Sequence, residues 1–144
     1  MALTLAEAKQ ETVRIQKSLV ALIPEELCSP DRLPAPGSVK MTPVAGSDGS
    51  GFRYPGSAAV RLVKDADGQA IVELLEQELR AQGWQETPMP TVSQPKRRLF
   101  ANAVGYETII STIDRGDDLP MVVLDVWSPP ATAPENFNRF VDKI

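Results

Sequence analysis

Residues 105–127 read GYETIISTIDRGDDLPMVVLDVW, and the way this stretch divides decides the fold class. Two β-rich runs, Tyr106 to Asp114 and Met121 to Trp127, flank Arg115-Gly116-Asp117-Asp118, a short connection with a glycine available for positive φ. Such a pair predicts an antiparallel hairpin. Upstream, Arg98 to Val104 and a proline-interrupted piece from Gln85 to Val92 have the same strand character, so a meander is expected. The segment Ser57 to Lys64 (SAAVRLVK) is bounded by turn residues and sets Val60 and Leu62 against Arg61 and Val63, which suits a strand buried mainly on one face.

Helical periodicity appears twice before the meander. Thr4 and Glu7 form a capping box, and Leu5, Ala8, Thr12, Ile15, Leu19 and Leu22 follow at helical spacing. Pro24 disfavours helical geometry in the residue before it, so this helix is expected to stop near Leu22 or Ile23. A second helix is expected from about Gly68 to Gln82, with Asp65 and Asp67 available as caps. Its apolar stripe is Ile71, Leu74, Leu75 and Leu79, with Glu73, Glu76, Glu78 and Arg80 mostly elsewhere. Gly83 suits the left-handed residue that closes a helix, and Trp84 the hydrophobic contact that accompanies it.

Between the first helix and the first strand, residues 25–56 form a long loop punctuated by prolines and the run GSDGSG at 46–51, with one edge strand expected around Val39 to Val44. At the other end, Thr132 and Glu135 suggest a second capping box ahead of Phe137, Phe140, Val141 and Ile144, hence a short amphipathic C-terminal helix. The order of elements predicts an α+β fold: an antiparallel sheet with two main helices on one face, in a single domain over residues 1–144. A chain of 144 residues buries roughly 68–70% of its unfolded surface, enough to fold without staples.

Composition narrows the chemistry. The net charge is −4 and the pI about 4.9, which opposes binding to nucleic acid or to an anionic membrane. Histidine is absent, removing the commonest general base and metal ligand, and Cys28 is the single cysteine, so no internal disulfide or cysteine-based zinc site is expected. The N-terminal MALTLAEAKQ lacks the features of a secretory signal, and no run approaches the ~20 apolar residues of a membrane span.

Each candidate site has a plainer reading. Arg115-Gly116-Asp117 is an adhesive tripeptide at a hairpin tip, but turn chemistry also demands Gly and Asp there. Lys96, Arg97 and Arg98 beside Phe100 resemble a phosphate patch with a stacking ring, yet on an acidic chain they read better as a solvated strand edge. Asp65-Ala66-Asp67-Gly68 begins like a calcium loop, but Gln69, Ile71 and Glu73 continue it as an amphipathic helix. Asp114, Asp117, Asp118 and Asp125 are too scattered to define a catalytic pair. Cys28 has no histidine to activate it. Trp84, Trp127, Tyr54, Tyr106 and Phe52 line either a core or a pocket. No catalytic, cofactor or metal residues are assigned.

Glu11-Thr12 in the first helix, Ile23-Pro24 after it, Gln82-Gly83-Trp84, Gly105-Tyr106 and Trp127-Ser128-Pro129 together resemble the globular part of small actinobacterial cell-envelope lipoproteins. The resemblance covers most of the chain from Leu5 to Pro130 and implies an exported, lipid-tethered domain without a catalytic role. The chain departs from that pattern in lacking a lipobox and in having one cysteine where such domains often have a pair. The expected function is therefore a non-enzymatic envelope domain that binds another protein or an envelope component through its sheet face or its 25–56 loop. The alternative is a cytosolic acidic protein-binding module, such as a secretion chaperone or an immunity-type protein.

Overall fold

A computed structural model describes residues 3–30, 33, 35–45, 51–87, 98–114, 119–138 and 140–144. Among them are two helices, α1 (Leu5–Val20) and α2 (Gly68–Ala81), and seven strands: β1 (Val44–Ala45), β2 (Phe52–Arg53), β3 (Pro55–Arg61), β4 (Gln85–Thr87), β5 (Leu99–Ala101), β6 (Glu107–Ile113) and β7 (Met121–Trp127). Five strands form one antiparallel sheet in the order β3-β7-β6-β5-β4. The expected hairpin is β6-β7, in register from Glu107 opposite Trp127 to Ile113 opposite Met121. The fold is α+β, as the order of elements predicts. Both helices pack on the face that holds Ala58, Phe100, Ile110, Val122, Leu124 and Val126.

The caps explain why the helices lie where they do. Thr4 Oγ1 accepts from the Glu7 N–H and the Glu7 carboxylate accepts from the Thr4 N–H, closing the capping box of α1. That backbone bond holds the Glu7 carboxyl below its ordinary value. The helix gives way after Val20 to tighter turns, with the Leu22 N–H donating to Leu19 and the Ile23 N–H to Val20. At α2, Asp67 is the N-cap, accepting from the Ala70 N–H at 3.1 Å. Asp65 is not a cap; it adopts φ +66 in the preceding turn. Gly83, at φ +92, donates to the Arg80 carbonyl, and the Trp84 N–H donates to that of Leu79, a complete Schellman ending over a buried indole.

Three expectations about local structure are corrected. Val44 and Ala45 pair with Arg53 and Phe52 in a separate two-stranded sheet, so the strand expected near Val39 to Val44 lies later and does not join the main sheet. β5 stops at Ala101, short of Val104, because the Asn102 side chain accepts from the N–H groups of Gly105 and Tyr106 and turns the chain. No helix follows Thr132 among the described residues. The Thr132 N–H donates to Leu3 and its carbonyl accepts from Leu5, which places the segment alongside the start of α1. Beyond it Asn136 sits at φ +64, Phe137 packs edge-on against Phe52, and Phe140 and Val141 are exposed.

The stripe of α2 is also displaced from its expected position. Ile71, Val72, Leu75, Glu76 and Leu79 are buried, whereas Leu74 is 43% exposed. The 25–56 loop is tied down in part: a 3-10 turn at Glu25–Leu27 leads to an isolated bridge between Cys28 and Leu62, supported by Ser29 N–H to Arg61 and Val63 N–H to Leu27.

Candidate functional site

Strand alternation sorts the main sheet into two faces. One lies under the helices. The other carries Pro55, Ser57, Ala59 and Arg61 from β3, Met121, Val123, Asp125 and Trp127 from β7, Glu107, Ile109, Ser111 and Ile113 from β6, and Leu99 and Ala101 from β5. Every one of these residues is half-buried or exposed, while their neighbours in sequence on β7 (Val122, Leu124 and Val126) are fully buried. No helix packs on this second face among the described residues. The register places Ile109 between Asp125 and Leu99, Val123 between Ala59 and Ser111, and Met121 between Arg61 and Ile113. Leu99, Ile109, Ile113, Met121, Val123 and Trp127, each half-buried, thus share a face that no described helix covers.

One corner of this face is polar and fixed. The Arg53 guanidinium lies 5.5 Å from the centre of the Trp127 ring, pairs with the Glu107 carboxylate, and donates through Nε to the Ser128 carbonyl at 2.8 Å. Ser128 is buried, and its hydroxyl accepts from the Tyr54 N–H at 2.8 Å, so the strand end carrying Trp127 is held by both backbone and side chains. Glu107 is neutralised within the chain.

A second charged group spans the far edge of the sheet. The Glu76 carboxylate, its side chain 3% exposed, accepts from Arg98 Nη1 at 2.9 Å. Arg98 Nε lies 3.3 Å from Glu86, Glu86 lies 3.5 Å from Arg80, and Arg80 covers the Phe100 ring at 5.1 Å. Burial raises the Glu76 carboxyl above its ordinary value, with Arg98 pulling it back. This network fastens α2 to β4 and to the start of β5; it faces no described cavity.

The residues singled out from the sequence are distributed without convergence. Trp84, Tyr54 and Tyr106 are core, Phe52 packs on Phe137, and Trp127 alone among the five is on the open face. Burial pushes both tyrosine hydroxyls up. Phe100 is fully buried and Arg98 is engaged by two carboxylates, so these two do not form a stacking patch; Lys96 and Arg97 lie outside the described residues. Arg115, Gly116, Asp117 and Asp118 also lie outside them. Cys28 is half-buried, its thiol 3.6 Å from the Pro24 carbonyl. Asp67 caps α2, and among the described residues no three His, Cys, Asp or Glu side chains are grouped to hold a metal. No described helix is long and apolar enough to cross a membrane.

Sequence reasoning offered a sheet face as a binding surface but could not assign its residues, because β7 is largely apolar on both sides and alternation in MVVLDVW carries little contrast. It missed Glu76 because an acid in an amphipathic helix reads as solvated. Comparison with known proteins matched no family model, no curated protein and no solved structure.

Proposed function

We propose that this chain is a non-catalytic binding domain of the cell envelope that takes its partner on the uncovered face of the main sheet. The observation that carries the reading is the continuity of Leu99, Ile109, Ile113, Met121 and Val123 across three hydrogen-bonded strands with no helix over them among the described residues. Antiparallel sheets tolerate water on one face when that face is polar, and an apolar one marks an interaction surface. The envelope location rests on the resemblance carried by Gln82-Gly83-Trp84, Gly105-Tyr106 and Trp127-Ser128-Pro129. The same apolar face also suits the cytosolic module, and the cellular fraction in which the native gene product is found separates the two.

The face is tested by placing a photo-crosslinking amino acid at Val123 and, as a control, at the exposed Gln69 of α2, in the native host. A product formed from position 123 and not from 69 supports the reading. Identical products, or none from position 123, remove it.

A further inference from the structure

Among the described residues of the open face, two charges of opposite sign, Arg61 and Asp125, make no ion pair. Among the described residues Arg61 makes no ion pair, and its Nε is buried without a hydrogen-bond partner. Asp125 accepts a hydrogen bond from Ser57 Oγ at 2.9 Å and, among the described residues, pairs with no cation. Arg61 stands opposite Met121, and Asp125 lies four residues further along β7, about 13 Å away at the rise of a strand. Within one chain the two do not meet. The remaining charge among the described residues of this face, Glu107, is already matched by Arg53.

The two ions lie in the rows on either side of one row of the sheet, on neighbouring strands. Arg61, Met121 and Ile113 form a row on one side of Ala59, Val123 and Ser111, and Ser57, Asp125 and Ile109 form a row on the other. A twofold axis crossing the strands at the Val123 row exchanges the outer two. It sets Arg61 of each copy over Ser57 of the other, one strand away from Asp125, sets Met121 over Asp125, stacks Ile113 on Ile109, and brings Val123 to Val123. Each Arg61 is then within reach of one Asp125 of the other copy, a contact that the symmetry repeats, and the apolar residues between are removed from water at the spacing of aligned sheets.

We propose that the occupant of the open face is a second copy of this chain, seated face to face about that axis. The inference rests on the open face being the binding surface. It answers the objection that a chain of net charge −4 repels itself, since the described face is neutral and self-complementary.

Sedimentation of the whole protein between about 1 and 200 μM resolves such an association. The expected result is a dimer that Arg61→Glu and Asp125→Lys each weaken by about tenfold or more, since each substitution sets like charges together. An equimolar mixture of the two variants is expected to restore the dimer, because both contacts in the mixed pair are again of opposite sign. Circular dichroism of each variant alone establishes that it is folded. A monomer throughout, a dimer indifferent to both substitutions, or a mixture no tighter than its components overturns the proposal. A monomer whose position 123 still crosslinks another protein in the host overturns the second copy while leaving the open face as the binding surface.

Discussion

Gln16 Nε2 donates to the Leu124 carbonyl at 3.0 Å from inside the layer between α1 and β7, with the glutamine 1% exposed. The contact joins residues 108 positions apart and fixes how α1 sits along β7. Gln16→Ala removes both the bond and the stem that fills the layer, so a loss of about 2–4 kcal/mol is expected. Gln16→Leu keeps most of the volume and is expected to lose about 1 kcal/mol. Urea denaturation checks both; equal losses would show that the polar contact, not the filling, is what matters.

Gly83 and Gly56 are required for different reasons. A Cβ at Gly83 meets nothing within 4 Å, so the penalty there is the φ of +92 alone. Gly83→Val is expected to cost more than about 1 kcal/mol, with Gly83→Asn costing less because asparagine visits left-handed geometry more readily. An unchanged melting temperature in the valine variant would remove the cap from the account of α2.

At Gly56 the difficulty is space. A Cβ there lies 2.4 Å from Thr12 Cγ2 and 3.2 Å from a Tyr54 ring carbon, so the strand and α1 touch through the missing side chain. Gly56→Ala is expected to destabilise by about 1–3 kcal/mol, and Thr12→Ser, which deletes the offending methyl, to recover part of that loss in the double variant. Strict additivity in the cycle would rule out the contact.

How far the sequence could be read follows from where each residue finds its partner. The capping box of Thr4 and Glu7, the Asp67 cap and the Gly83-Trp84 ending are satisfied within a few positions of themselves, and each was legible. The β6-β7 pairing was legible because its connection is short and both flanks have strand composition. Thr132 failed as a cap because Leu3 and Leu5, more than a hundred residues earlier, take its backbone groups. The burial of Gln16 and Glu76 was not legible for the same reason: their partners, Leu124 and Arg98, make burial tolerable and are not visible in local periodicity. The open face was legible only as a possibility in the 57–64 strand, since which side of β7 is covered depends on where the helices dock.

Val123 and Ile109 lie on that face and contribute little to the helix-covered core. Val123→Lys is therefore expected to shift stability by no more than about 1 kcal/mol, the scale of substitutions on a half-exposed strand surface. Val122→Lys, one residue away and fully buried, is expected to prevent folding. Thermal denaturation of the pair, at a concentration where the chain is monomeric, separates a surface kept for a partner from one that is core: a large loss in Val123→Lys there would place position 123 in the core and take away the open face.

Glu76 gives the fold a pH dependence whose sign follows from its burial. Its carboxyl is raised above the ordinary value because removal from water penalises the charged form more than Arg98 compensates it. The folded chain thus holds this proton more tightly than the unfolded chain. The stability contributed by Glu76 is fully present below the ordinary carboxylate value of 4.5 and is lost as pH rises through the raised folded value. Glu76→Gln keeps the shape and carries no charge at any pH. Relative to wild type it is expected to gain stability across that window and to hold a constant advantage above it, when urea midpoints are compared in steps from acid to neutral pH. A variant that instead loses ground as pH rises would mean that the pairing with Arg98 outweighs burial, making the network a net source of stability at neutral pH.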